Sequence, residues 1–361
     1  MNSKFLIWLI FILVIFGLVM VSSAGVYPSQ KNFDANHYYF NHQLFFGFLP
    51  GLILFLLTSK IDYKIWRKFS LPLILISVGL LMLIFVPGFG IKSGGAKRWV
   101  DFFGLFSFQP TEILKLTLVI YLASWFSSKT RLSKNSLGSF LAFLIILFFI
   151  GAFIAFQPDI GTLGIIIAIA LAMFFVAGMG FKYFMGIILV IAVSFSLLTL
   201  FSEYRFNRFR ALLDPTRDAR GIGYHLNQSL IAIGKGGLFG LGFGRGEQKL
   251  GLLPEPVGDS IFAVIGEELG FLGMTFAVTL LLLFIVTALN IAKKTSDKFA
   301  SLYAVGLASW VGVQAFVNIA SLSGLFPLTG VPLPFISFGG TALATLMAGT
   351  GILVNISKKA R

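Results

Sequence analysis

Long apolar windows along the whole chain constrain its fold more than any other feature of the sequence. A helix needs about 17–25 consecutive, mostly apolar residues to cross a bilayer, and about ten windows meet this requirement. They cover residues 5–23, 43–58, 71–88, 110–127, 138–156, 160–178, 183–201, 260–291, 299–324 and 337–356. Charged residues make up only 12% of the chain, about half the share usual in a soluble domain. The sequence therefore predicts an all-α polytopic membrane protein, with residues 1–361 as one integral domain.

Three windows depart from a plain span. The first resembles a signal peptide, but it is as long as a bilayer span and no soluble domain follows, so we interpret it as a retained helix. The second is short, and Pro50-Gly51 predicts a kink in it. The eighth is long, and we expect it to tilt or to enter from the membrane interface.

The basic residues of the short loops predict the orientation. They are concentrated in the segments on the same side as the N-terminus, which the positive-inside rule assigns to the cytoplasm. Both termini are then cytoplasmic, and the long 202–258 loop between helices 7 and 8 is extracytoplasmic. Aromatic, Gly, Pro and mixed-charge clusters occur in the outward segments, which predicts that the working face looks outward.

Composition excludes several classes of site. The chain has no cysteine, so disulfides and thiol chemistry are excluded, and its three histidines make a His-built metal site unexpected. In a soluble protein, a net charge of +14 would suggest a nucleic-acid partner. Here the concentration of basic residues in the short loops on one side is explained by the orientation in the membrane. Gly234-Lys235-Gly236-Gly237 lacks the Walker A spacing. Neither a nucleic-acid partner nor an organic cofactor is expected.

A polar, Arg-rich segment opens the long outward loop. Arg205, Arg208 and Arg210 alternate there with Phe206 and Phe209, which fits an amphipathic helix at the membrane interface. The same arginines fit a clamp on phosphate oxygens, which guanidinium groups bind bidentately. The residues alone leave both interpretations open.

Ionisable residues also lie within or beside the apolar windows. Glu112 and Lys115 are three residues apart and share a helix face, so they form either a neutralising pair or a pair that also lines a polar cavity with Lys97 and Arg98. Asp159 begins a window and is interpreted first as an N-cap, with a role in the cavity as the alternative.

Four acidic residues surround the start of the eighth window. Asp259 is either an N-cap together with Ser260 or a working carboxylate, and Glu255 is an alternative candidate for the second role. The adjacent Glu267 and Glu268 cannot share one helix face. We expect structural roles for both, with at least one paired to a basic residue or protonated.

Several motifs in this order resemble the SEDS family of shape, elongation, division and sporulation proteins, which includes RodA and FtsW. The resemblance covers most of the chain from about residue 94. The motifs are GAKRW at 95–99, FQPTEILK at 108–115, QPDIGT at 157–162, GYHLNQSLIAIG at 223–234, LPE at 253–255, FAVIGEELG at 262–270 and PLPFISFGG at 332–340. Residues 241–250 look somewhat more similar to the division branch.

This resemblance implies a peptidoglycan glycosyltransferase in the bacterial cytoplasmic membrane. Its substrate would be lipid II, a disaccharide-pentapeptide on undecaprenyl diphosphate. Its partners would be a class B penicillin-binding protein and other division or elongation membrane proteins. The family's essential Asp falls on Asp259. However, Val257-Gly258 stands where the family has His-Thr, and Phe338 stands where Tyr is common.

The combined prediction is a site on the outward face. Asp259 would be the general base. A divalent cation, Mg²⁺ or Mn²⁺, held by Asp259 and Glu112 would suit the diphosphate. The predicted substrate-binding residues are Lys97, Arg98, Glu112, Lys115, Asp159, Arg205, Arg208, Arg210, Gln228, Ser229, Glu255 and Ser337.

Two other functions remain open from the residues. Charges within membrane windows also mark translocation paths, so a flippase for the same lipid is an alternative. A non-catalytic scaffold that recruits division or elongation proteins is the other.

Overall fold

The computed structural model describes residues 3–93, 96–102, 106–128, 137–178, 180–200 and 223–359. Within these ranges the chain is mostly helical, and a helix occupies each of the apolar windows. The α-helices are α1 Ser3–Ala24, α2 Val26–Phe33, α3 Tyr38–Gln43, α4 Leu49–Lys60, α5 Tyr63–Lys68, α6 Ser70–Met82, α7 Pro110–Ser127, α8 Leu137–Ala155, α9 Ile160–Val176, α10 Phe181–Leu200, α11 Tyr224–Gly236, α12 Ile261–Lys294, α13 Lys298–Leu322 and α14 Gly340–Lys359.

A small antiparallel sheet corrects the all-α prediction. Strands β1 (Gly90–Ser93), β2 (Ala96–Phe102) and β3 (Phe106–Phe108) form it in the order β1-β2-β3. The ladder satisfies main-chain groups in the long connection between α6 and α7. The sequence carries a hairpin signal here that the prediction missed: a Gly-Gly pair at 94–95 followed by a segment with Trp, Val and Phe.

Five helices are long and apolar enough to cross a membrane, by length and composition, within the part of the chain that the structure describes. They are Ser3–Ala24, Tyr38–Lys60, Ile261–Lys294, Lys298–Leu322 and Gly340–Lys359. Shorter apolar helices cover Ser70–Phe85, Phe140–Ala155, Ile160–Val176 and Phe181–Val190. The protein is thus a multi-pass membrane protein, while the number of ten spans stays a prediction.

The second window contains a π-helical turn close to its Pro-Gly pair. Leu44–Phe48 forms this turn between α3 and α4, and Leu49 separates it from Pro50. A proline ring clashes with the carbonyl four residues before it in a regular helix, and a π turn changes that spacing. Gly51 then packs closely on α14, because a Cβ there would lie 2.7 Å from the Met347 sulfur.

The eighth window contains a long helix, as predicted, but the helix is not continuous. A straight helix of the length of α12 would span ~51 Å, well beyond the ~30 Å hydrocarbon core. The helix is interrupted at Gly270, whose φ of 64° and ψ of −161° are not helical. Residues 261–268 before the break are all buried. The break at Gly270 therefore divides α12 into two shorter helical pieces, and it lies in the interior of the protein.

The packing core runs through α13 and α14. Trp310 and Tyr303 of α13 are almost fully buried, and α13 packs on α7, α9 and α12. Helix α14 packs mainly on α4. The loops before α9, α12 and α14 are consequently brought together near one end of this core.

Candidate active site

Asp259 lies in a tight turn that leads into α12. The main-chain N–H groups of Gly258 and Ser260 both donate to the carbonyl of Glu255, at 3.1 and 3.2 Å. Glu255 has a φ of 44° and an exposed side chain, whereas Asp259 is half-buried. The turn therefore places the two candidate carboxylates in different environments, and Asp259 is in the more enclosed one.

Ser260, rather than Asp259, occupies the N-cap position of α12. Its hydroxyl donates to the Pro254 carbonyl at 2.7 Å and lies 2.5 Å from His225 Nε2. Because a hydroxyl has one proton to give, the His225 ring nitrogen is the donor in the second bond. Ser260 thus closes the turn and connects it to α11.

Asn318 joins the Asp259 turn to the loop that precedes α14. Its side-chain N–H group donates to the main-chain carbonyls of Asp259, at 2.7 Å, and Val331, at 2.8 Å. A Cβ added to Gly330 would lie 3.6 Å from Asp259 Oδ2, and Gly330 has a φ of 70°. The main chain around Gly330 therefore forms one wall beside the Asp259 carboxylate.

Ser337 joins the same two segments a second time. Its hydroxyl donates to the Gly258 carbonyl at 2.7 Å and accepts from Leu333 N at 2.7 Å. Phe338 N donates to the Val257 carbonyl at 2.8 Å. These contacts are to main chain, so they position the turn. The predicted substrate contact of Ser337 stays a prediction.

Glu112 and Lys115 form the predicted ion pair. Their charged groups are 2.8 Å apart, and the side chains are 3% and 1% exposed. Lys115 also donates to Gln314 Oε1 at 2.8 Å and lies over the Trp310 ring. Gln314 in turn donates to the Pro332 carbonyl at 2.8 Å. The pair is thus connected to the loop that faces Asp259.

A small pocket lies beside this ion pair. Its lining includes Glu112, Gln314, Leu333, Ser337 and Leu343. Glu112 Oε2 is buried and has no hydrogen-bond partner among the described residues. A buried carboxylate oxygen without a partner is costly. Among the predicted cavity residues that the structure describes, Glu112 lines this pocket, whereas Lys97, Arg98 and Lys115 do not, so a polar cavity lined by the pair stays a prediction.

The turn before α9 also contacts the loop that contains Gly330. Asp159 Oδ1 accepts from Thr162 N at 3.3 Å, which confirms its interpretation as the N-cap. Arg98 of β2 donates to the Pro158 carbonyl at 2.9 Å, while Lys97 is exposed. A Cβ at Gly161 would lie 2.9 Å from the Thr329 carbonyl. This turn therefore connects β2 to the loop of Gly330.

Several other buried polar atoms around this junction have no hydrogen-bond partner within the described ranges. They are Arg98 Nε, both amide atoms of Gln157, Asn318 Oδ1 and Thr329 Oγ1. Native proteins leave few such groups unsatisfied, and ligands are one explanation for them. The junction thus has the polar character of a substrate site.

The remaining predicted residues fall outside this junction or outside the described structure. Ser229 is buried and donates to the His225 carbonyl within its own helix, and Gln228 is half-buried on α11. Arg205, Arg208 and Arg210 lie outside the described residues. The predicted roles of all five in substrate binding stay predictions.

Sequence reasoning missed His225, Gln314 and Asn318. His225 stands inside a motif that was singled out, yet nothing in the sequence indicates that it reaches Ser260. Gln314 and Asn318 are polar residues four apart in an apolar window. That spacing places them on one helix face and was a usable signal.

No group of three or more His, Cys, Asp or Glu that could hold a metal occurs among the described residues. Glu112 already pairs with Lys115. An all-protein metal cage is therefore not formed by this part of the chain.

Comparison with known proteins gives consistent matches. The family model for FtsW, RodA and SpoVE, described as "Cell cycle protein", matches residues 4–361. A probable peptidoglycan glycosyltransferase FtsW of Trichlorobacter lovleyi is 38% identical over 352 residues, covering 98% of this chain and 92% of that protein. Stage V sporulation protein E of Bacillus subtilis is 36% identical over 350 residues, covering 97% and 95%.

Solved structures share the fold. A chain of a peptidoglycan synthase complex, solved for its coordination of polymerization and crosslinking, superposes with a TM-score of 0.82 at 24% identity, covering 98% of this chain and 97% of that one. The rod shape determining protein RodA of Thermus thermophilus gives a TM-score of 0.71 at 23% identity, covering 98% and 96%.

Proposed function

The chain belongs to the FtsW, RodA and SpoVE family of cell-cycle proteins, and we infer from this membership that it is a peptidoglycan glycosyltransferase. The observation that carries the proposal at the level of the site is the position of Asp259. Asp259 is half-buried where the turn before α12 meets the loop before α14, and Ser337 of that loop both bonds the Gly258 carbonyl and lines the pocket beside Glu112.

We propose that the substrate is lipid II and that two lipid-linked units react. An acceptor sugar hydroxyl attacks the anomeric carbon of the donor, the new glycosidic bond forms, and the bond to the lipid diphosphate breaks. The hydroxyl proton goes to a base, and the electron pair leaves with the diphosphate. This reaction needs a carboxylate at the hydroxyl and positive charge at the leaving group.

In this proposal Asp259 is the general base. Its main chain is held by Asn318 and by the Ser337 bond to Gly258, so the carboxylate is pre-positioned. A base must lie within hydrogen-bond reach of the proton that it removes, and half burial leaves Asp259 accessible to substrate. Glu255 is exposed, which makes it the weaker candidate.

Basic residues of the same face would bind the diphosphates. Arg98 has a buried Nε without a partner among the described residues, and Lys97 beside it is exposed. Both can meet phosphate oxygens. Lys115 is already bonded to Glu112 and Gln314, so its described contacts favour a role in positioning these two side chains. Arg205, Arg208 and Arg210 are the further candidates.

A divalent cation fits this site only as a companion of the substrate. Mg²⁺ is commonly bound through one or two carboxylates together with substrate phosphates. The carboxylates of Asp259 and Glu112 would hold it, the latter through Oε2, which has no hydrogen-bond partner within the described ranges. When bound, the cation would neutralise charge that develops on the diphosphate.

The number of membrane spans and the orientation of the chain are also part of this proposal, and they rest on the sequence. The chain would cross the bacterial cytoplasmic membrane ten times, with cytoplasmic termini and an outward-facing active site. Its likeness to a chain of a peptidoglycan synthase complex supports a crosslinking partner, for which a class B penicillin-binding protein is the proposal.

The broken helix α12 raises the flippase alternative again, because transporters often use discontinuous helices at their binding sites. Here, however, the main-chain N–H groups of Phe271 and Leu272 after the break donate to the carbonyls of Gly237 and Leu238. Protein backbone therefore fills the break, and a substrate path does not use it.

The decisive experiment is polymerisation of lipid II by the purified protein, with and without a partner penicillin-binding protein. Wild type is expected to form glycan, whereas Asp259→Ala and Asp259→Asn, folded and in equal amount, are expected to form none. Product from both variants at the wild-type rate would refute the assignment of Asp259. Lipid transfer by wild type without any product would favour the flippase.

A further inference from the structure

The Gly-rich loop 237–250 fills the break in α12 and forms a continuous hydrogen-bonded contact with it. Leu241 N and Gly242 N donate to the carbonyls of Glu267 and Glu268, both at 3.0 Å. On the far side of the break, Phe271 N donates to the Gly237 carbonyl at 2.9 Å. Groups that the break would leave unpaired in an apolar environment are thus bonded by this loop.

The side chains of Glu267 and Glu268 continue the same contact. Glu267 accepts from Glu247 N at 2.9 Å and from Gln248 N at 3.1 Å. It has no exposed surface. Its carboxylate therefore replaces a missing strand or helix partner for two successive N–H groups of the loop.

Glu268 also contacts the loop, and both of its carboxylate oxygens have hydrogen-bond partners. It forms an ion pair with Lys249 and accepts from Gly244 N at 3.1 Å. The Ser23 hydroxyl of α1 donates to its Oε2 at 2.7 Å. The two adjacent carboxylates thus bind neighbouring residues of the same loop, and Glu268 also ties it to the first helix.

Glycine at position 246 permits this arrangement. A Cβ there would lie 2.7 Å from Glu267 Oε2 and 3.1 Å from the Glu268 Cγ atom. Gly240, with a φ of 79°, lies directly against the Glu268 main chain. Both positions require the absence of a side chain, because the loop approaches the two glutamates too closely for one.

The clamped loop leads directly to the turn that carries Asp259. The Gln248 carbonyl accepts from Leu253 N at 2.7 Å, and the carbonyl of Pro254, the residue after Leu253, accepts from the Ser260 hydroxyl. Leu253 is itself buried. Gln248, which Glu267 holds, is therefore the anchor from which the Asp259 turn begins.

We propose that Glu267 and Glu268 are positioning residues for the glycosyl transfer, which they serve by fixing loop 237–250 and, through Gln248, the turn of Asp259. The proposal rests on the proposed role of Asp259. It predicts that loosening the clamp misplaces the carboxylate without removing any group that contacts substrate.

The test compares two clamp variants with two controls. Glu267→Gln removes the charge and replaces one of the two oxygens that accept from the loop N–H groups by a donor, and Gly246→Ala inserts a methyl group between the glutamates while keeping both. In Gly234→Ala the added Cβ meets nothing within 4 Å, and Lys235→Ala removes only an exposed pair with the Glu247 side chain, so neither control alters the main-chain bonds between the loop and the two glutamates.

Lipid II polymerisation is measured per folded molecule, with the folded fraction taken from thermal unfolding in detergent. Because a misplacement of about 1 Å can cost on the order of 100-fold in rate, we expect kcat to fall ~10- to 100-fold in both clamp variants. KM is expected to stay within about twofold. Both controls are expected to match wild type.

Hydrogen–deuterium exchange supplies a second readout that does not need activity. In both clamp variants we expect faster exchange in residues 244–250 and also in residues 253–260, which carry Asp259. Unchanged exchange in 253–260, or a loss of activity that follows only the folded fraction, would overturn the proposal.

The two proposals fail in different ways. If Asp259→Ala polymerises at the wild-type rate, the base assignment fails, while faster exchange at 253–260 in Glu267→Gln still supports the clamp. If Asp259→Ala is inactive and both clamp variants keep the wild-type kcat, the base assignment stands and the clamp as a positioning device is wrong.

Discussion

Two buried ion pairs serve different purposes in this protein. Glu268 and Lys249 are 0% and 6% exposed, and Glu268 also accepts from Ser23 and Gly244. Glu112 and Lys115 are equally buried, but beside a pocket Glu112 keeps one oxygen that has no hydrogen-bond partner in the part of the chain that the structure describes. A saturated carboxylate holds structure, whereas an unsaturated one beside a cavity is available to a ligand. The two pairs are therefore distinguished by whether the carboxylate still has an acceptor oxygen available, because their burial is similar.

The largest effect is expected from breaking the saturated pair. Lys249→Met leaves the Glu268 charge buried without its cation, which typically costs about 3–5 kcal/mol of stability. Thermal and denaturant unfolding in detergent would measure this loss. Lys249→Met combined with Glu268→Gln removes the charge and keeps an acceptor for Gly244 N, so we expect it to recover most of the stability. A double variant as unstable as the single one would contradict this account.

A smaller loss of stability but a larger loss of activity is expected from the other pair. In Glu112→Gln, Lys115 keeps its bond to Gln314 and its contact with the Trp310 ring. Polymerisation is expected to fall on the order of 100-fold, because the free oxygen and its charge are lost from the site. An active Glu112→Gln that unfolds as readily as Lys249→Met would reverse the comparison.

An intermediate effect is expected at His225, which bonds the Ser260 hydroxyl. His225→Ala removes the donor that fixes the turn of Asp259, and we expect a fall in kcat of ~10-fold. His225→Gln restores a side-chain N–H donor at similar reach and is expected to recover most of the rate. Equal losses in both variants would show that the imidazole acts in some way other than through Ser260.

The smallest effect is expected from the exposed pair between Asp62 and Lys359, 2.6 Å apart. The hydrogen bond from Lys359 lowers the pKa of the Asp62 carboxyl below its usual 3.8. Because the folded pKa is the lower one, the contribution is complete at neutral pH and is lost as the pH falls below 3.8 through the folded value. Asp62→Asn is expected to leave thermal unfolding at pH 7 almost unchanged, since exposed pairs are screened by solvent. A marked loss at pH 7 would contradict this expectation.

Features that depend on near neighbours in the chain could be predicted. Helix windows follow from runs of apolar residues, the Glu112–Lys115 pair follows from a spacing of three, and the Asp159 cap follows from the three residues after it. In each case the interacting groups are brought together by the helix itself. The sheet at 90–108 was missed although its signal was local. The whole chain had been divided by apolar windows long enough for a membrane helix, and the short strands do not form such windows.

Contacts between distant segments could not be predicted. Ser23 meets Glu268, His225 meets Ser260, and Asn318 bonds the carbonyl of Asp259. These pairs are brought together by how the helices pack, and sequence spacing carries no record of that packing. The break at Gly270 is of the same kind, because glycine accepts both helical and left-handed φ values and only the loop packed against it selects one.

The sequence by itself thus determined the membrane class, the helices and the family, since apolar runs and ordered motifs are properties of the chain. Only the tertiary structure decided which carboxylates are saturated and which keep an acceptor site free. That distinction depends on the donors that surround each oxygen, and those donors come from helices and loops far apart in the chain. The assignment of Glu267 and Glu268 to positioning and of Glu112 to the site rests on it.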